Sequence, residues 1–186
     1  MRSLFIFVII SVNTIWATHI GFTESAISTS ADGARDVHAA DVDSDGDMDL
    51  LSASRDDDKI AWYENDGNQN FTTHVISTSA FGARDVHAAD VDGDGDMDVL
   101  SASGTGDKIA WYENDGSEGF TEHVISTSAD GAFSIYAADV DGDGYMDVLS
   151  AIEYDDKIAW YENDGSESFT EHTISTSADG AVSVHA

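Results

Sequence analysis

Apolar and polar residues alternate along this chain in short runs bounded by turn residues. Between residues 84 and 127 the runs read "RDVHAADV", "MDVLSAS", "KIAWYEN" and "FTEHVIST", each drawing on Val, Ile, Tyr, Phe or Thr. A period of two belongs to half-buried strands, whereas a helix would return apolar residues every three or four positions. All four runs are therefore predicted strands, and no helix is expected. Asp66-Gly67, Asp115-Gly116 and Asp164-Gly165 fall between the third and fourth runs, where a turn with positive φ favours a residue without Cβ.

The whole set recurs. "KIAWYENDG" begins at Lys59, Lys108 and Lys157, and an acidic stretch, "DVDSDGDMD", "DVDGDGDMD" and "DVDGDGYMD", begins at Asp41, Asp90 and Asp139. Both spacings are 49 residues, and residues 41–89 align with 90–138 without a gap at 35 identities. Four antiparallel strands in a unit of this length describe a propeller blade. The expected fold class is all-β, with blades over residues 35–77, 84–126 and 133–175. Partial strands are expected at both ends, because "GFTESAISTSADGA" reads as the close of a unit and "AVSVHA" as the start of another. A ring takes roughly four to eight blades, so three predict an incomplete or open propeller.

Composition changes the picture at two points. The chain has 37 acidic and 7 basic residues, for a formal charge of −30, which excludes nucleic acid as a partner. With 41% hydrophobic residues a packed core is still expected, and without Cys its stability must come from packing or metal. The opening "MRSLFIFVIISVNTIWA" places Arg2 before an apolar run and a small residue, Ala17, at a plausible cleavage point. It reads as a signal peptide over residues 1–17, leaving residues 18–186 as a secreted, extracellular product with no membrane insertion after its removal.

The acidic stretch carries the chemistry. Carboxylates this close repel unless a counter-charge sits among them, and alternating oxygen ligands make a cage for a hard cation. Calcium takes about six to eight oxygens, which a tight loop supplies from positions 1, 3 and 5, a backbone carbonyl at 7, and a later carboxylate. The expected side-chain ligands are Asp41, Asp43, Asp45 and Asp49; Asp90, Asp92, Asp94 and Asp98; and Asp139, Asp141, Asp143 and Asp147. Position 7 holds Asp47, Asp96 and Tyr145, an exchange that a carbonyl ligand tolerates. Gly46, Gly95 and Gly144 supply the sharp turn at position 6. An EF-hand is excluded by Ser52, Ser101 and Ser150 at position 12 and by strands on both flanks. About three calcium ions are expected per chain, and magnesium fits a cage of carboxylates less well.

The acidic loop followed by "VLSAS", "WYENDG" and Phe resembles the FG-GAP and VCBS-like repeats, the calcium-binding blades also seen in integrin α-subunit propellers. The resemblance covers nearly all of the chain after the leader. It implies a seven-bladed propeller with calcium in the loop between the first and second strands, at the positions just named. It also implies roles in adhesion or carbohydrate recognition, in some members beside an enzyme.

The remaining polar and aromatic residues have structural explanations. Trp62, Trp111 and Trp160 share a strand face with Ile60, Ile109 and Ile158, which suits packing between blades better than sugar stacking. His38 and His87 give way to Tyr136, an exchange that neither a ligand nor a general base would survive. His74, His123 and His172 are expected as polar protection of the outermost strand. Asn70 opens a glycosylation sequon. Opposite the acidic loops, the connections "RDDD", "GTGD" and "EYDD" and the blade-to-blade segments vary, as a ligand surface or neutral drift would. No catalytic residues are expected. The reading is a secreted calcium-binding propeller module for extracellular binding or adhesion, with a glycan or protein ligand and self-association of the incomplete ring. The alternatives are an accessory propeller of a carbohydrate-active enzyme whose catalytic domain lies elsewhere, and a structural spacer.

Overall fold

The computed structural model describes residues 25–186, and the leader expected over residues 1–17 lies outside them. Three separate four-stranded antiparallel sheets follow one another. The first comprises β1 (Ala34–Ala40), β2 (Asp49–Ser54), β3 (Lys59–Asn65) and β4 (Phe71–Ser77). The second comprises β5 (Ala83–Ala89), β6 (Asp98–Ser103), β7 (Lys108–Asn114) and β8 (Phe120–Ser126). The third comprises β9 (Ala132–Ala138), β10 (Asp147–Ile152), β11 (Lys157–Asn163) and β12 (Phe169–Ser175). Strand order within each sheet follows the chain, so every sheet is a meander. This is an open arc of three propeller blades, and among the described residues no helix is long and apolar enough to cross a membrane.

Blades pack face to face because both faces of each sheet carry apolar residues. Leu51, Ala53, Ile60 and Trp62 of the first blade meet Val86, Val99, Ala110 and Tyr112 of the second. The same arrangement sets Leu100, Ile109 and Trp111 against Ile135, Val148, Ala159 and Tyr161. Trp62 and Trp111 are completely buried and meet Phe120 and Phe169 of the following blade edge to face, at centroid distances of 6.3 and 6.5 Å. Their burial identifies them as blade packing, at roughly 1.5–3 kcal/mol or more for each large apolar side chain removed from water. Trp160, with no fourth blade against it, is only half-buried.

The innermost strands of successive blades lie side by side and are stitched by side chains. Asp36 accepts from Val86 N (3.3 Å), Asp85 from Ile135 N (2.8 Å) and Ser134 Oγ from Val184 N (3.4 Å). Beside this seam, His38, His87, Tyr136 and His185 form a column with successive centroids 4.5, 4.8 and 5.9 Å apart. Their role is packing along the inner strands, which explains how Tyr replaces His in the third blade.

Two expectations need correction. Residues 181–186 form no strand, although Val184 and His185 lie against β9. Residues 25–29, the described part of the expected leading strand, likewise carry none. His74, His123 and His172 do not merely guard an edge. Each ring stacks on the tryptophan of its blade, with centroids 4.4 to 4.6 Å apart, and its Nε2 meets Glu64, Glu113 or Glu162 at 2.8, 2.7 or 2.6 Å.

Candidate metal centres

Each acidic loop joins the first strand of a blade to the second, and its own carboxylates shape it. In the first loop Asp43 Oδ1 accepts from Asp45 N (3.1 Å), Asp45 Oδ1 from Asp47 N (2.8 Å) and Asp41 Oδ2 from Gly46 N (3.1 Å). These bonds curl the backbone around a common centre. Gly46, Gly95 and Gly144 have φ of 96°, 100° and 100°, so an L side chain at position 6 would be strained. Position 4 is also left-handed, at 80° and 82° in Gly93 and Gly142 and at 62° in Ser44. That second turn requirement escaped the reading of the sequence, where Gly93 and Gly142 were its visible signal.

The curl gathers carboxylate oxygens. Asp41, Asp43 and Asp45 each offer one such that all lie within 4.8 Å of one another, and so do Asp90, Asp92 and Asp94. In the third loop the group is Asp139, Asp141 and Asp147, so Asp143 stands outside it and position 9 stands in. Asp41 Oδ1 is buried with no hydrogen-bond partner among the described residues. An orphaned buried carboxylate oxygen is costly unless something positive approaches it, and hard oxygen donors suit calcium. The residues present therefore fit a hard divalent cation. Loss of solvent, reinforced by the charges of neighbouring aspartates, pushes the Asp43 and Asp92 carboxyls above the usual range.

Position 9 has a structural task as well. Asp49, Asp98 and Asp147 are completely buried at the start of the second strand. Asp98 Oδ2 accepts from Val91 N (2.9 Å) and Oδ1 from Asn114 N (2.8 Å), and Asp49 and Asp147 repeat both bonds. This carboxylate ties the loop to the end of the third strand. Burial holds the Asp98 carboxyl up at about 6 despite those bonds. The asparagine it holds reaches onward: Asn114 Nδ2 donates to Val42 O (3.1 Å) and Asn163 Nδ2 to Val91 O (2.9 Å), each in the acidic loop of the preceding blade. Loop shape and blade docking are thereby coupled, a link hidden in the sequence by the 72 residues between its partners.

Position 7 points elsewhere. A Cβ on Gly67 would strike the Asp47 carboxylate, one on Gly116 that of Asp96, and one on Gly165 the Tyr145 ring. These side chains lie over the neighbouring Asp-Gly turn, so any ligand from position 7 is its carbonyl. Asn70 Nδ2 donates to Asp66 Oδ2 at 2.8 Å, so the amide of the sequon is engaged in holding its own turn.

The three loops recur as a family signature. The FG-GAP-like repeat profile matches residues 41–101, 90–150 and 139–186, each match starting at an acidic loop. The chain belongs to the FG-GAP-like repeat family. No curated protein sequence matches it. Among solved structures, the FG-GAP-like blades resemble an Agrocybe aegerita lectin, described as specifically recognising non-reducing terminal N-acetylglucosamine, with a TM-score of 0.53 at 15% identity. The likeness covers 81% of this chain and 42% of the lectin, so these blades span less than half of that protein. At such identity the likeness is one of fold.

Proposed function

We infer that this chain is a calcium-stabilised propeller module, exported by its leader, that serves in extracellular binding and is not itself a catalyst. The observation that carries the reading is the threefold recurrence of converging carboxylates in one loop position, with Asp41 Oδ1 buried and orphaned in the first. Bound calcium would supply positive charge and oxygen coordination. The residues at positions 1, 3 and 5 would hold it, with position 9 in place of position 5 in the third loop, and position 7 would add its carbonyl. Asp49, Asp98 and Asp147 would transmit the order of each loop to the third strand, and Asn114 and Asn163 to the adjacent blade. The function of the metal is thus to fix blade shape. Glycan binding is the favoured use of that shape, supported by the fold shared with a lectin.

Calorimetry on the leader-free chain tests the reading. Three calcium ions should bind per chain, in the weak range of extracellular modules near about 10⁻⁴ to 10⁻³ M, and chelation should lower Tm. Absence of calcium binding, or equal preference for magnesium, overturns it. Sequencing the N-terminus of the exported product tests the leader: cleavage should follow Ala17.

A further inference from the structure

Among the described residues there are three arginines, Arg35, Arg55 and Arg84, in a chain of formal charge −30. All three line one cavity of ≈ 330 Å³, together with Phe133, Glu153 and Tyr154. The cavity lies on the rim opposite the acidic loops, where the first strands begin and the second strands turn into the third. Its volume falls within the range of about 300 to 1,000 Å³ usual for small-molecule sites.

One device, used three times, brings the lining together. Ala34 faces Ser54 and Asp36 faces Ala53, so Arg35 is the extra residue of a bulge in β1. Arg84 and Phe133 are the extra residues of the same bulge in β5 and β9. A bulge re-aims the side chain it inserts, and here each inserted side chain lines the rim cavity. The connections from second to third strand complete the wall with Arg55, Glu153 and Tyr154, and Gly104 holds the repeat position of Arg55 and Glu153 in the second blade. Gly104 is required there because the Arg84 side chain occupies the place of its missing Cβ.

Bracing of the blades accounts for only one of these arginines. Arg84 Nη1 donates to Glu153 Oε2 across the second and third blades at 2.6 Å, with its guanidinium 4.6 Å above the Phe133 ring. Among the described residues Arg55 pairs only with its neighbour Asp56, at 2.8 Å, and stays half exposed. Arg35 has no carboxylate within ion-pair distance among the described residues, because Gly104 stands where the third blade has Glu153. Gathered guanidiniums repel one another, and an incoming anion relieves that cost. Beside them the Tyr154 ring packs over Gly131 and its hydroxyl accepts from Arg84 Nη2 (3.4 Å), while the ring stays 62% exposed.

We propose that this rim cavity binds the carboxylate of an acidic sugar, with Arg35 and Arg55 gripping the carboxylate and the Tyr154 ring supporting a face of the pyranose. Planar guanidinium forks match a carboxylate through paired charge-assisted hydrogen bonds, and an amphipathic ring presents a flat apolar surface to sugar C–H groups. The proposal rests on the reading of the chain as an extracellular binding module and names the ligand class.

The test uses the leader-free chain saturated with calcium, titrated by NMR with methyl β-glucuronide, its methyl ester, and acetate. The glucuronide should bind one per chain, and the ester and acetate each at least about tenfold more weakly, the loss expected of a charge-assisted contact. Arg35→Gln should weaken the glucuronide about tenfold. Glu153→Gln, which removes a competing carboxylate, should strengthen it, so that the prediction does not depend on variants that lose function. Equal binding of ester and acid, equal displacement by acetate, or unchanged affinity in Arg35→Gln overturns the proposal. A glucuronide that survives Arg35→Gln but is lost in Asp94→Asn bridges through a loop-bound metal, which also overturns it. Calcium titration of the same samples separates the two claims: calcium bound without glucuronide refutes the cavity, and glucuronide bound without calcium refutes the reading of the loops.

Discussion

Neighbouring aspartates of one acidic loop do different work. Asp98 satisfies two backbone donors in a fully buried position, so Asp98→Ala leaves Val91 N and Asn114 N unpaired. It should cost about 3 kcal/mol or more and weaken calcium binding to the second loop, as read by urea unfolding and calorimetry. Asp96→Ala removes a carboxylate that lies over the Gly116 turn and should change stability by no more than about 0.5 kcal/mol while calcium binding persists. Equal losses in both would overturn the assignment of position 7 to its carbonyl. Ser44 has a φ of 62° where the other blades use glycine. Ser44→Gly should therefore stabilise the first blade by about 0.5–1 kcal/mol, seen as a raised urea midpoint at constant calcium.

On the strand β5, two titrating side chains oppose each other. Burial, with His38 and His185 adding repulsion and Asp36 opposing, holds the His87 imidazole down at about 4, below its ordinary 6.5. The unfolded chain therefore takes up this proton first, and stability falls as pH drops from 6.5 to 4. Burial also pushes the Asp85 carboxyl up to about 6 from 3.8, against the hydrogen bond from Ile135 N. Here the folded chain is protonated first, and stability rises as pH drops from 6 to 3.8. The two effects offset each other in the unaltered chain. The third blade supplies a replacement for each, Ser134 and Tyr136. Relative to the unaltered chain, Asp85→Ser should lose Tm on acidification from pH 6.5 to 4.5, and His87→Tyr should gain. Parallel Tm curves for all three chains would refute the coupling at the seam.

For the whole molecule, the open arc sets the behaviour. Trp160 and Ile158 are half-buried where Trp111 and Ile109 are completely covered by the next blade. At the other end Val37 of β1 is 63% exposed, whereas Val86 in β5 is covered. The two open faces are complementary, since each is one side of the contact that joins consecutive blades. Apolar faces of this kind are normally covered. The leader-free chain should therefore self-associate at micromolar concentration, more orderly with calcium, because three divalent ions would bring its charge, −31 once Arg2 has left with the leader, to −25. Trp160→Lys should reduce that association. Light scattering after size exclusion, with calcium and with chelator, checks it, and a monomer in both buffers would refute it.

Most of the architecture was legible in the sequence because it is periodic. A strand period of two, an Asp-Gly turn and a repeat of 49 residues are local properties, readable from "KIAWYENDG" and its spacing alone. Converging carboxylates at positions 1 and 3, with position 5 in two loops and position 9 in the third, were legible for the same reason, since a nine-residue loop leaves few ways to arrange them. What the tertiary structure decided is whatever depends on one blade lying against another. Asn114, whose N–H Asp98 holds across 16 residues of the same blade, reaches Val42 of the preceding blade across 72. The bulges aim Arg35 and Arg84 at a shared cavity, and the seam suppresses the charges on Asp85 and His87. No run of residues announces these, because burial and partner distance arise only after strands from different blades are brought together.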